Sequence, residues 1–130
     1  IIGNGCEIYG EIRNCVIGAG VTIGKGAVVR DSIIMQDVRI GDGCVIDKAI
    51  IAENSEIGQG STLGIGKEVP NKLKPSVYSF GLVTIGENTK IPAGVQIGKN
   101  TAVSGITEKY DYPGGILESG ETLIKAGERI

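Results

Sequence analysis

Ile17-Gly18-Ala19-Gly20-Val21-Thr22 and Ile23-Gly24-Lys25-Gly26-Ala27-Val28 are successive copies of one hexapeptide, Ile-Gly-x-Gly-x-x. The pattern returns at Ile40, Ile57, Ile85 and Ile97, and in weaker form at Ile2, Ile34, Ile51 and Ile91. A six-residue period matches neither the 3.6 residues of a helical turn nor the simple alternation of a long strand. It marks a solenoid of short parallel strands joined by tight corners, in which each repeat buries its apolar face by stacking on its neighbours.

With the aliphatic residue as position one, position four reads Gly5, Gly20, Gly26, Asp37, Gly43, Asn54, Gly60, Asn88, Gly94 and Asn100. Gly, Asn and Asp are the residues that enter left-handed backbone geometry most readily, so each hexad is expected to turn one corner there. Position five reads Cys6, Val21, Ala27, Val38, Cys44, Ser55, Ser61, Thr89, Val95 and Thr101, all small or β-branched, as a cramped inward site beside a corner requires. Position six, with Glu7, Thr22, Arg39, Glu56 and Lys90, points outward.

A longer period lies over the first. Ile12-Arg13-Asn14-Cys15-Val16, Val29-Arg30-Asp31-Ser32-Ile33 and Ile46-Asp47-Lys48-Ala49-Ile50 are five-residue versions of the unit, seventeen residues apart, each followed by two hexads. One coil is therefore a triangular prism layer of five, six and six residues, and residues 12–28, 29–45 and 46–62 are three such coils after a partial one at 2–11. Continuing the period would bury Glu68 and Lys74, at a cost of several kcal/mol for each unpaired charge. Residues 63–81, with Pro70 and Pro75, are expected to leave the prism as a loop. The repeat resumes in phase at Val83-Thr84-Ile85 and runs to about Ile106. Residues 107–130 read as a tail outside the repeat, with one or two short strands. The fold class is thus all-β, a parallel hexapeptide-repeat solenoid.

The 130 residues suit one domain, and the 22 glycines are corner residues rather than a sign of disorder. A net charge of −2 points to neither nucleic acid nor a membrane surface. No apolar run nears the roughly 20 residues that cross a bilayer, and no signal peptide is present, so a cytoplasmic protein is expected. The chain opens inside a repeat without Met and reads as a fragment of a longer protein. The three cysteines, Cys6, Cys15 and Cys44, fall at small inward positions and read as buried free thiols of a reducing compartment. No Cys-x-x-Cys spacing suggests a metal.

There is no histidine. Hexapeptide-repeat acyltransferases deprotonate the acceptor with a histidine, and hexapeptide-repeat carbonic anhydrases bind zinc through histidine; neither mechanism runs without an imidazole. The glycine-rich stretches do not precede helices and recur at every corner, unlike a phosphate-binding loop. No catalytic residue, resident cofactor or metal ligand is expected in this chain.

The order of features resembles the carboxy-terminal domain of bacterial glucose-1-phosphate adenylyltransferases. The resemblance is carried by Gly26-Ala27-Val28-Val29-Arg30-Asp31-Ser32-Ile33-Ile34-Met35, by Val45-Ile46-Asp47-Lys48-Ala49-Ile50-Ile51, by Ile91-Pro92-Ala93-Gly94, and by the tail Asp111-Tyr112-Pro113-Gly114-Gly115-Ile116-Leu117-Glu118-Ser119-Gly120. It implies a left-handed parallel β-helix, against the usual right-handed rule for parallel crossovers. It also implies an absent amino-terminal nucleotidyltransferase domain that makes ADP-glucose from ATP, with Mg, and glucose 1-phosphate for glycogen synthesis. The β-helix of that family supports subunit assembly, as homo- or hetero-oligomers, and contributes to a site for a sugar-phosphate or nucleotide effector. Such a site uses basic residues near the chain end, here Lys109, Lys125 and Arg129. The alternative is a structural hexapeptide scaffold, or an acyltransferase-related domain without its histidine.

All five aromatics avoid the regular hexads. Tyr110 and Tyr112 in the tail, with Lys109 and the loop residues Lys72 and Lys74, are the candidate clamp for an anionic effector; the plainer alternative is that the aromatics cap the solenoid ends. The outward positions read Val16, Ile33, Ile50 on one face and Val28, Val45, Thr62 on another, against Thr22, Arg39, Glu56 on the remaining one. Stacked aliphatic columns mark interfaces, and the two apolar faces are expected to dock the chain's own catalytic domain and a neighbouring subunit.

Overall fold

A computed structural model describes residues 1–125 as a left-handed parallel β-helix of triangular section. The first face carries the strands Glu7–Ile8, Thr22–Ile23, Arg39–Ile40, Glu56–Ile57 and Lys90–Ile91. The second carries Glu11–Arg13, Val28–Arg30, Val45–Asp47, Thr62–Leu63, Gln96–Ile97 and Ile116–Leu117. The third carries Val16–Ile17, Ile33–Ile34, Ala49–Ile51, Val83–Ile85, Thr101–Ser104 and Thr122–Ile124. Pairing is parallel throughout and places Thr22 on Arg39 and Arg39 on Glu56, the seventeen-residue step.

Each strand is short because a corner follows it. All ten position-four residues have φ between 55° and 74°. The remaining corner column has Asn14, Asp31 and Lys48 in the same region. Lys48 is the exception by residue type, and nothing in its side chain favours that geometry. The corners are also ladders: the amides of Gly43, Gly60 and Gly94 donate to the carbonyls of Lys25, Asp42 and Gln59 one coil away.

The interior follows from the same spacing. Ile17, Ile23, Ile34, Ile40, Ile51, Ile57, Ile85, Ile91 and Ile97 are all buried and stack in three files, each side chain worth about 1.5–3 kcal/mol of burial. The inward polar residues at the corners are satisfied. Ser55 donates its hydroxyl to Gly86 O at 2.8 Å and accepts from Thr89 N–H at 3.2 Å. Ser61 does the same with Pro92 O and Val95 N–H. Cys44 points its thiol at Gly58 O in the equivalent way. A small hydroxyl or thiol at position five therefore stitches one coil to the next.

The loop begins one residue later than its sequence suggests. Leu63 is buried and pairs with Ile46 and Ile97, and the chain departs at Gly64. It returns at Val83, so paired strands on either side lie 34 residues apart, as Glu56 and Lys90 do. The excursion thus adds one coil's length without changing the phase. Two buried asparagines fix its base. Asn100 donates to Val69 O at 2.8 Å and accepts from Gly81 N–H at 2.7 Å, closing both ends of the loop on one side chain. Asn71 donates to Asn100 O and Thr122 Oγ1 and accepts from the amides of Leu73 and Lys74.

The tail rejoins the prism instead of staying outside the repeat. Ile106 bridges Lys90 and so extends the first face, and two 3₁₀ turns, Lys109–Asp111 and Pro113–Gly115, then take the place of the corner. Ile116–Leu117 then pairs with Gln96–Ile97, and Thr122–Ile124 with Ala102–Ser104.

Two glycines separate the two demands that the coil makes. A Cβ on Gly58 would stand 2.4 Å from Ala93 N, inside the next coil. A Cβ on Gly60 would meet nothing within 4 Å, but its φ is 70°. Gly60→Asn is therefore expected to change stability by less than about 1 kcal/mol. Gly58→Ala should cost about 1–3 kcal/mol, because backbone must move. Thermal melts of the two variants give the comparison.

Candidate functional site: exposed faces, corners and tail

The outward column of the third face begins with Val16, Ile33 and Ile50, in register. Val16 and Ile33 are 48% and 42% exposed, and Ile50 is half-buried. Beyond the loop the column turns to Thr84, Ala102 and Thr122. Met35, which sequence reasoning passed over, lies at the edge of this strip, and with Val16, Ala19 and Ile33 it lines a shallow apolar groove. Gln36 and Glu53, hydrogen-bonded to each other at 3.0 Å, border it. On the second face Val28 and Val45 are half-buried, and the column continues through Thr62 and Gln96 to Ile116. The aliphatic character of both columns is concentrated before the loop.

The residues expected to form an anion clamp are not brought together. Lys72 and Lys74 sit on the loop, whose base is fixed at the corner between the second and third faces. Lys109 sits at the corner between the first and second faces, its Nζ 4.0 Å from where a Cβ on Gly94 would stand. The width of the second face separates the two places. Lys72 is also engaged, paired with the carboxylate of Glu121. Tyr112 is 1% exposed and packs in the core, with its hydroxyl 2.9 Å from Thr107 Oγ1. Burial pushes its phenol up to about 12. Tyr112 plugs the solenoid between the two 3₁₀ turns that form the enlarged corner, as the capping alternative requires. Arg129 lies outside the described residues.

Lys109 does have a basic neighbour that sequence spacing hides. It lines one open groove with Lys25, running over Gly43, Gly60 and Gly94. Lys25 and Lys109 are 84 positions apart, and only the stacking of corners brings them to one edge. Asp42 in the same groove is already held by the Lys25 amide at 2.9 Å.

Tyr110 is 77% exposed, with Lys125 Nζ 4.7 Å from its ring centroid. Lys125 also bonds Asp111 at 2.6 Å, and this latch joins the first 3₁₀ turn to the last described strand. The Lys125 hydrogen bond, with the Glu108 amide behind it, holds the Asp111 carboxyl below its usual range, and Asp111 in turn raises Lys125.

The thiols are less uniform than their positions imply. Cys44 is fully buried, and desolvation raises its pKa, which makes it a poor nucleophile. Cys6 and Cys15 are half-buried, and both point at backbone carbonyls. Among the described residues no group of three or more His, Cys, Asp or Glu gathers to hold a metal ion. None of the described helices is long and apolar enough to cross a membrane.

Because the folded pKa of Asp111 is lowered, its stabilising effect is full above the ordinary carboxylate range and is lost as pH falls through the lowered value. Asp111→Asn is expected to loosen the tail at neutral pH and to remove part of the stability lost on acidification. Amide exchange of the last described strand, followed between pH 7 and pH 3, would show this; an unchanged pH dependence would count against the latch.

Comparison with known proteins gives the family. The family model described as GlmU-like, C-terminal hexapeptide matches residues 1–85. The glucose-1-phosphate adenylyltransferase of Lachnospira eligens is 59% identical over 98% of this chain and 30% of its own length. Those of Thermotoga neapolitana and Acetivibrio thermocellus are 52% and 40% identical over the same shares. The chain spans about 30% of the length of these relatives. Among solved structures, the acetyltransferase domain of PglB from Neisseria gonorrhoeae superposes with a TM-score of 0.45 at 16% identity, over 95% of this chain and 56% of that one. The chain belongs to the GlmU-like carboxy-terminal hexapeptide family, and its match there is to the left-handed β-helix domain of glucose-1-phosphate adenylyltransferases.

Proposed function

We propose that this chain is the assembly and allosteric-regulatory domain of a glucose-1-phosphate adenylyltransferase, an enzyme making ADP-glucose from ATP and glucose 1-phosphate for glycogen synthesis. The observation that carries the assembly role is the strip of outward Val16, Ile33, Met35 and Ile50 on a face whose other side is already a packed core. A β-helix satisfies its own interior, so an aliphatic strip outside it contributes nothing to that core and suits contact with another folded body. The strip is assigned to the chain's own catalytic domain, and the Val28/Val45 column to a neighbouring subunit. ATP with its Mg and the sugar phosphate are assigned to the part of the protein outside this chain.

The regulatory role rests on the corner groove of Lys25 and Lys109, with Tyr110 beside the latter in sequence. Two lysine ammoniums along an edge of exposed backbone match the charge of a phosphorylated sugar or nucleotide. In the full-length enzyme, Lys109→Ala should raise the effector concentration for half-maximal response by about tenfold, the equivalent of one lost charge-assisted contact. An unchanged effector curve would remove Lys109 from the site.

The contrast between adjacent residues tests the assembly role. Ile33→Lys with Ile50→Lys, in the full-length protein, should weaken subunit or domain association in sedimentation while leaving the β-helix folded. Ile34→Ala or Ile51→Ala should instead lower the melting temperature, by about 2–5 kcal/mol of stability each, because those side chains fill the interior. If association ignores the double lysine variant, the column is only strand propensity.

A further inference from the structure

The last described strand has little apolar packing to hold it in place. Thr122–Ile124 pairs with Ala102–Ser104 on one side and, among the described residues, with no strand on the other. Thr122 and Leu123 are half-buried and Ile124 is exposed. Elements with so few buried contacts open first. Polar anchors hold this one, and they come from both ends. At the first, the loop that follows Leu63 crosses the tail. The Lys72 amide donates to Gly120 O at 2.9 Å, and Asn71 Nδ2 donates to Thr122 Oγ1 at 3.1 Å. The two backbones touch, since a Cβ on Gly120 would stand 2.5 Å from Pro70 O. The loop is itself fastened to the preceding coil, where the Asn100 carboxamide holds Val69 O and the Gly81 amide. At its other end the strand runs into Lys125, whose ammonium bonds Asp111 at 2.6 Å and lies 4.7 Å from the Tyr110 ring centroid. Asp111 caps its own turn by accepting from the Glu108 amide at 2.8 Å.

We propose that the loop is a strap that keeps this strand docked, and that through Thr122–Lys125 it sets how firmly the turn carrying Lys109 and Tyr110 is held. The bearing of this coupling on an effector rests on the reading of the Lys25 and Lys109 groove given above; the coupling itself does not. Coupling between distant groups needs an element with two states that both groups bias. The last strand is that element. Docked, it places an ammonium on Asp111 and against the Tyr110 ring. Undocked, it takes Lys125 away. The turn then keeps only its own bonds, from the amides of Asp111 and Tyr112 to the carbonyls of Glu108 and Lys109, and the buried Tyr112 ring. The contacts of Asn71 and Lys72 to the tail exist only in the docked state, so losing them shifts the population away from it. Asn71 and Asp111 share no hydrogen-bond partner. Two independent anchors of this kind would act additively, whereas anchors on one strand do not.

The test is amide hydrogen exchange of the full-length protein, comparing Thr122→Val, Asp111→Asn and the two together. Thr122→Val removes the hydroxyl that Asn71 reaches and keeps the branched shape. The reporters are the amides of Asp111 and Tyr112 in the turn, with those of Arg39 and Gly41, bonded to Ser55 O and Ile57 O, as controls in an early coil. Thr122→Val is expected to speed exchange in the turn by about tenfold, on the scale of one lost hydrogen bond. It should leave Arg39 and Gly41 unchanged, and it should add nothing once Asp111→Asn is present. No acceleration in the turn, or the same acceleration with and without Asp111→Asn, would overturn the strap. A rise shared with Arg39 and Gly41 would overturn it equally, because the substitution would then be loosening every coil. If Thr122→Val fails to fold, Asn71→Ala carries the same comparison. The proposal and the functional reading fail separately: an effector response indifferent to Lys109→Ala removes the effector reading and leaves the exchange result standing, whereas a turn indifferent to the loop removes only the strap.

Discussion

A left-handed backbone at every corner is the constraint on which the remaining structure depends. Strands of two to four residues are too short to hold a sheet by themselves, and they hold here because each is re-aimed at a fixed place and laid over the strand one coil before. The corner amides take part in the same ladder, as the bonds from Gly43, Gly60 and Gly94 show. A corner that failed to turn would therefore break pairing on two faces together. It would also rotate the aliphatic side chains out of the interior, since a shift of one residue reverses the facing of a strand.

Residue type made most of this fold legible. Gly, Asn and Asp at position four lie at the corners, and the aliphatic residue at position one lies in the core. Legibility fails where geometry is imposed by neighbours rather than favoured by the residue itself. Lys48 and Phe80 enter the left-handed region without any local reason for it, one carried by the stack and the other by the clamped loop. The strand at Ile116 pairs with Gln96, twenty residues back, because the 3₁₀ turns displace it from the seventeen-residue period. A search for the period alone leaves it outside. Tyr112 in a Tyr-Pro-Gly-Gly context resembles an exposed turn aromatic, and only the return of the tail buries it.

The candidate sites were less legible than the fold for the same reason. A solenoid brings together residues of equal phase, not residues of nearby number or shared chemistry. Lys25 and Lys109 line one groove because both occupy one edge. Lys72 and Lys109, grouped by charge and by their place outside the hexads, belong to different edges. The outward columns were readable because they share one phase over three coils. Met35 was missed because it stands at the start of a corner, where the pattern assigns no fixed direction.

The place at which the loop enters the stack has a mechanical consequence. Contacts in a solenoid run mainly between adjacent coils, so a load applied at one end must pass through every coil to reach the other. The loop is anchored partway along the rod and tied by Asn71 both to the coil of Asn100 and to the tail strand at Thr122. Displacement of the loop would act sideways, as on a lever, and would load the carboxy-terminal coils through this tether before the first three coils were disturbed. The hydroxyls of Ser55 and Ser61, bonded across the level of the loop to Gly86 and Pro92, keep the rod continuous behind that lever. The molecule is therefore stiff along its axis and accessible to torque from its side.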